Sequence, residues 1–107
     1  MIVEQRTYAL IPGKTAAYFE LYAREGMQIQ QQYLGKMLGY YSTDIGPVNE
    51  VVHMWGYEDH ADRKARRDAL QADPRWQAYV AQIVTLLVRQ ESRILVPAPF
   101  FSPRGAA

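Results

Sequence analysis

Three breaks divide this chain into stretches whose apolar period switches between two and about 3.6, and the order of those switches constrains the fold most. The breaks are Pro12-Gly13, Gly46-Pro47 and Asp73-Pro74. Residues 2–10 read as a strand, with Ile2, Glu4, Arg6, Tyr8 and Leu10 on one face and Val3, Gln5, Thr7 and Ala9 on the other. Neither face is cleanly polar, as in strands covered on both sides. From Lys14 to about Leu34 the period becomes helical. Thr15, Tyr18, Phe19, Tyr22, Gly26, Ile29 and Tyr33 form one stripe, with Glu20, Arg24, Gln28 and Gln31 opposite. Gly35 is the expected stop.

Residues 36–45 and 48–57 read as two strands of a hairpin around Gly46-Pro47. A second helix opens at Glu58-Asp59, with Asp59 as N-cap and Asp62 three residues on, a capping-box-like spacing. Asp59–Arg63 and Asp62–Arg66 are acid-before-base pairs at i,i+4. Asp73-Pro74 restarts a helix, with Asp at the cap and Pro in the first turn, and Trp76, Tyr79, Val80, Ile83, Leu86 and Leu87 supply its apolar face. A last strand is expected near residues 90–96. Pro97, Pro99 and Pro103 then make an extended tail over 97–107. Two stripes compete to dock the second helix. One is Ala61, Ala65, Ala69 and Ala72; the other is His60, Arg63, Arg67 and Leu70, which turns arginines toward the sheet. The order is β-α-β-β-α-β with an extra short helix, an α+β ferredoxin-like arrangement forming one domain over residues 1–107.

Such a sheet carries its helices on one face and leaves the other to be covered. Val51, His53, Trp55 and Tyr57 alternate with Val52, Met54 and Gly56, so neither face of the third strand is fully polar. A chain of 107 residues removes only roughly 65% of its unfolded surface from water. A second copy stacked on the open face covers it, so a homodimer is expected. The formal net charge of +1 gives no field for nucleic acid or an anionic membrane. No apolar run approaches the roughly 20 residues of a membrane span. The start, MIVEQRTYAL, does not read as a signal peptide. Cysteine is absent, which removes disulfides and thiolate chemistry. A cytoplasmic location is the default expectation.

Chemistry concentrates in Asn49-Glu50-Val51-Val52-His53-Met54-Trp55-Gly56-Tyr57. Strand parity sends Asn49, His53, Trp55 and Tyr57 to one side, either as a pocket wall for a polar aromatic ligand or as a core strand with locally satisfied tips. Arg6, with Tyr8, is either a floor for an anionic group or part of an ion pair with Glu4. Arg63, Lys64, Arg66 and Arg67 read as a solvated face, neutralised by Glu58, Asp59, Asp62 and Asp68. Gly26 inside a helix costs about 1 kcal/mol against Ala, and either ligand room or tight packing explains it. His53 and His60 have no metal-ligand spacing, and there is no Gly-rich phosphate loop or serine-nucleophile motif, so neither metal nor cofactor is expected.

Asn49-x-Val51-x-His53-x-Trp55-x-Tyr57, followed by Asp62-Arg63, Arg67, Leu70 and Asp73-Pro74-x-Trp76, resembles the signature region of the NIPSNAP proteins. Glu4-x-Arg6-Thr7-Tyr8 and Phe101-Ser102-Pro103 resemble that family's ends. The resemblance implies a ferredoxin-like dimeric α/β barrel. It implies little about activity, since fold does not fix function. Larger relatives are connected with mitochondria and vesicle traffic; this chain is expected to lack their leader and second repeat.

Three functions compete. The first is a small-ligand-binding homodimer with a pocket between helices and sheet, its candidate residues being Arg6, Tyr8, Tyr18, Tyr22, Asn49, His53, Trp55, Tyr57 and Arg63. The second, by analogy of fold, is a cofactor-free monooxygenase-like enzyme acting on a phenol. The third is a structural or protein-interaction module.

Overall fold

A computed structural model of the chain describes residues 1–103. Strand β1 is Ile2–Leu10, followed by α1, Thr15–Leu21, a π-helical turn, Tyr22–Gly26, and α2, Met27–Leu34. Strands β2, Lys36–Ser42, and β3, Glu50–Tyr57, come next, then α3, His60–Ala72, and α4, Pro74–Ile83. A short 3-10 turn, Val84–Leu86, leads into β4, Leu87–Leu95. The sheet is antiparallel in the order β2-β3-β1-β4, an α+β ferredoxin-like arrangement.

Register explains which side chains meet. Ile2, Glu4, Arg6 and Tyr8 of β1 stand opposite Tyr57, Trp55, His53 and Val51 of β3. These residues form the helix-covered face, joined from β2 by Met37 and Tyr40, which pair with Trp55 and His53. Val51, Trp55, Tyr57, Leu34 and Leu70 are essentially inaccessible to solvent. Val3, Val52 and Met54 occupy the other face. There the chain after β4 returns, so that Val96, Pro97, Phe101 and Pro103 border an apolar hollow with Val3, Leu38, Met54 and Leu95. Residues 104–107 of the expected tail lie outside the described residues.

Caps follow the sequence signals. Asp59 accepts from the Asp62 amide at 2.8 Å, and Asp73 accepts from the Arg75 amide at 2.8 Å with Pro74 opening α4. Gly35 ends α2 at a φ of 82°, a conformation that favours glycine.

Several boundaries differ from the sequence reading, each for a physical reason. The hairpin strands stop at Ser42 and restart at Glu50, because the loop around Gly46-Pro47 is longer than a tight turn. Leu87 belongs to β4 and not to the α4 face, since the helix ends at Ile83. The first helix is interrupted by the π turn, whose wider i→i+5 bonding delays the helical phase by about a residue. The buried stripe therefore runs Tyr18, Tyr22, Gly26, Gln30, Leu34, leaving Ile29 and Tyr33 half-buried.

The second helix docks by its arginine stripe. Ala61, Ala65, Ala69 and Ala72 face solvent, while Arg63, Arg67 and Leu70 turn inward. The four basic residues thus do not share one solvated face. Lys64 and Arg66 pair outward with Asp68 and Asp62, each at 2.8 Å. Arg63 leaves its expected partner Asp59 and reaches Glu4 on β1 at 2.8 Å.

Candidate functional site

A cavity of about 420 Å³ lies between the helices and the sheet. Its floor comes from Arg6 and Tyr8 of β1, His53 of β3 and Tyr40 of β2. Tyr18 and Tyr22, from α1 and the π turn, and Trp76 and Tyr79, from α4, form the aromatic walls. Helix α3 contributes Arg67 and Gln71. The volume falls within the roughly 300–1,000 Å³ range of small-molecule sites.

His53 is the centre of an aromatic box. Tyr40 stacks on it at 4.5 Å and 9°, and Tyr8 meets it edge-on at 4.9 Å. Two residues along the same strand face, Trp55 donates its indole N–H to His53 Nδ1 at 2.8 Å. The indole is donor only, so Nδ1 must be the acceptor and the neutral ring carries its proton on Nε2. That Nε2 is buried and finds no protein partner. Burial first, then the nearby Arg6 and Arg67 charges, hold the imidazole near a pKa of about 3, against partial opposition from Glu4. At neutral pH His53 is an uncharged donor.

Glu4 lies alongside as the carboxylate shared by several cations. Arg6 donates to it at 3.0 Å, Arg63 at 2.8 and 3.1 Å, and the Ser92 hydroxyl at 2.5 Å. Burial alone would raise its pKa. The Arg63 and Ser92 hydrogen bonds, with the charges of Arg6 and Arg67, outweigh that and lower it to about 2. Arg6 also donates from Nε to the Tyr8 hydroxyl at 2.8 Å. Arg6 is thus an ion-pair partner of Glu4 and also part of the cavity floor.

The tyrosines are tied to one another or to amides. Tyr18 and Tyr40 share a hydrogen bond of 2.5 Å, and Tyr22 donates to Gln30 at 2.6 Å. Burial raises the hydroxyl pKa of Tyr18, Tyr22, Tyr40 and Tyr79 above the usual phenol range, so these walls stay neutral.

Of the residues singled out in the sequence, Arg6, Tyr8, Tyr18, Tyr22 and His53 line the cavity. Asn49, Trp55, Tyr57 and Arg63 do not. Asn49 sits before β3 begins, half-buried, its carbonyl accepting from the Leu10 amide at 2.7 Å. Trp55 and Tyr57 are core residues further along β3, and Trp55 acts on the cavity only by fixing His53. Arg63 points to Glu4. Tyr40, Arg67, Trp76 and Tyr79 were missed as lining residues. Hairpin parity opposite His53 carried a signal for Tyr40, and the arginine stripe of α3 carried one for Arg67. Gly26 is explained by packing: a Cβ there would stand 2.7 Å from the Tyr79 ring of α4.

No helix among the described residues is long and apolar enough to cross a membrane. The sequence profile of the NIPSNAP family matches residues 3–103. Protein NipSnap of Drosophila melanogaster is 32% identical over 99 residues, which cover 92% of this chain and 36% of that one. NipSnap homolog 1 of Danio rerio is 31% identical over 90% of this chain and 34% of its own. The chain therefore spans only about a third of the length of these two relatives. An uncharacterized NIPSNAP-like domain protein from Burkholderia xenovorans superposes with a TM-score of 0.91 at 48% identity, covering 95% of this chain and 89% of that one. A putative antibiotic biosynthesis monooxygenase from Nitrosomonas europaea shares the fold, with a TM-score of 0.67 at 13% identity over 91% of this chain and 98% of that one. With a profile match across nearly its whole described length and relatives above 30% identity, the chain belongs to the NIPSNAP family.

Proposed function

We propose that this chain is a small-ligand-binding domain that works as a homodimer, with the ligand held in the cavity between helices and sheet. One observation carries the reading: a cavity of about 420 Å³ walled by neutral aromatic rings is lined by His53 and Arg67, and the buried His53 Nε2 has no protein group to satisfy it. Buried polar groups normally have partners, and an orphaned donor on a cavity-lining ring is accounted for by a molecule that enters the cavity. The sheet face away from the helices, where Val52 and Met54 are half-buried and Tyr41 is exposed beside the returning tail, offers the surface for a second copy. The test is native mass spectrometry of the purified protein, followed by denaturation and identification of any released small molecule. A copurified molecule at near-stoichiometric occupancy supports the reading. A cavity that takes up no probe from a broad aromatic library overturns it.

The phenol-oxidising alternative draws on the fold of the monooxygenase neighbour alone. A general base needs a free lone pair directed at the substrate's proton. The Nδ1 lone pair of His53 is engaged by Trp55 and its Nε2 is protonated, so His53 serves as a donor and not as a base.

A further inference from the structure

The cavity holds more positive charge than the protein answers. Arg6 and Arg67 line it, and among the described residues no Asp or Glu does. Glu4, just outside the lining, is the carboxylate nearest to both. Its two oxygens already receive four hydrogen bonds, from Arg6, twice from Arg63, and from Ser92. Arg67 is left over. Its Nη1 stops 4.0 Å from Glu4 Oε1, is buried, and makes no hydrogen bond. A largely buried cation whose nearest counter-ion is already shared with two other arginines is costly to maintain, and an anion entering the cavity relieves that cost.

The second unsatisfied donor sharpens the chemistry. His53 Nε2–H is held by the Trp55 bond on the other side of the ring and by stacking on Tyr40, so it is a fixed donor. A guanidinium and an imidazole N–H are together met by an anion with several in-plane lone pairs, and guanidinium geometry matches carboxylates and phosphates. Charge chooses between these two. Glu4 neutralises one cation, Arg63 is 30% exposed and partly solvated, and one buried cation remains. That calls for a single negative charge. Among the rest of the lining, the rings of Tyr22, Trp76 and Tyr79 with Ile83 and Leu87 accept a flat apolar body, and the neutral amides of Gln30, Gln71, Gln77 and Gln90 add no further cation.

We propose that the cavity takes a monocarboxylate on a flat, apolar or aromatic body, its carboxylate received by the Arg67 guanidinium and His53 Nε2–H. This rests on the ligand-binding reading above and names the class of ligand.

The experiment is calorimetric titration of the full chain at neutral pH with benzoate, phenylacetate and 3-phenylpropanoate. Their neutral amides and phenyl phosphate are titrated in parallel. At least one carboxylate should bind roughly 10-fold or more tightly than its amide, as expected for hydrogen bonds to a charged group. Arg67→Gln should bring the affinity for the acid down to that for the amide. Arg67→Lys, which keeps charge without the fork, should recover part of it. If Arg67→Gln does not fold, the acid-to-amide ratio in the unmodified protein decides. Amides binding as tightly as acids would overturn the carboxylate assignment and leave the cavity reading standing. Tighter binding of phenyl phosphate than of any carboxylate would overturn it in favour of a phosphate group. No binding by any probe would overturn both.

Discussion

The α-carbon of Gly26 and the ring of Tyr79 are in such close contact that a methyl group on Gly26 would stand within 2.7–2.9 Å of three ring carbons. The contact joins the end of the π turn to α4 and fixes one aromatic wall of the cavity. Gly26→Ala adds this overlap at a cost of about 1–3 kcal/mol, offset by about 1 kcal/mol of helix propensity. The net expectation is a loss of about 1 kcal/mol, read as a fall in Tm of roughly 4–8 °C. An unchanged or raised Tm would show that Tyr79 swings aside freely.

Trp76 stands on the same helix, 9% exposed, its ring 4.9 Å from that of Tyr79. Replacing it with Ala should destabilise the protein by roughly 3–5 kcal/mol in urea unfolding. A loss below about 1 kcal/mol would mean that the cavity collapses onto the vacated space.

Acid should unfold the protein in two stages. The folded pKa of His53, about 3, lies below its ordinary 6.5, so the unfolded chain binds a proton that the folded chain refuses. Stability from this source is complete above pH 6.5 and falls as pH drops toward 3, with a slope of about 1.4 kcal/mol per pH unit. Glu4 adds a second proton with the same sign: its folded pKa of about 2 is below its ordinary 4.5, so its contribution is lost between 4.5 and 2. Urea midpoints should therefore decline from pH 6.5 and steepen below 4.5. His53→Gln should remove the first decline and keep the second. A flat profile between pH 6.5 and 4.5 in the unmodified protein would contradict the neutral, buried imidazole.

A homodimer stacked through the open sheet face should bury at least about 1,000 Å². Sedimentation velocity at micromolar concentration should give twice the chain mass, and Tyr41→Asp, on that face, should shift the equilibrium toward monomer. A monomer in the unmodified protein at that concentration would contradict the proposal.

Strand and helix order was legible because each segment's apolar period and its Gly, Pro and Asp punctuation agreed. Asp59, Asp73 and Gly35 act where local chemistry placed them. What failed was long-range. Gln30 and Leu34 replace Ile29 and Tyr33 on the buried stripe because a π turn shifts phase, and apolar period alone cannot announce that shift. The docking face of α3 was left open because the choice depends on Glu4, 59 residues before Arg63 in the chain. Once that carboxylate is buried, arginines move inward and alanines outward, against ordinary hydrophobicity. The cavity was half visible. Arg6 and His53 stand out in sequence, but their pairing across β1 and β3 comes only from register.

The hydrogen-bonded cluster on Glu4 also limits how this sequence can drift. Its donors come from β1, α3 and β4, so one carboxylate ties three separate parts of the chain. Losing Glu4 alone strands inward-facing guanidiniums, whereas losing Arg63 alone leaves the carboxylate, which has no solvent exposure, with Arg6 and Ser92 as its donors. A paired exchange of Glu4 and Arg63 to apolar residues would still leave Arg6 and Arg67 inside without their nearest carboxylate. Glu4 is therefore the position of this cluster least free to vary by itself, and Arg63 is freer, because the carboxylate keeps two donors without it.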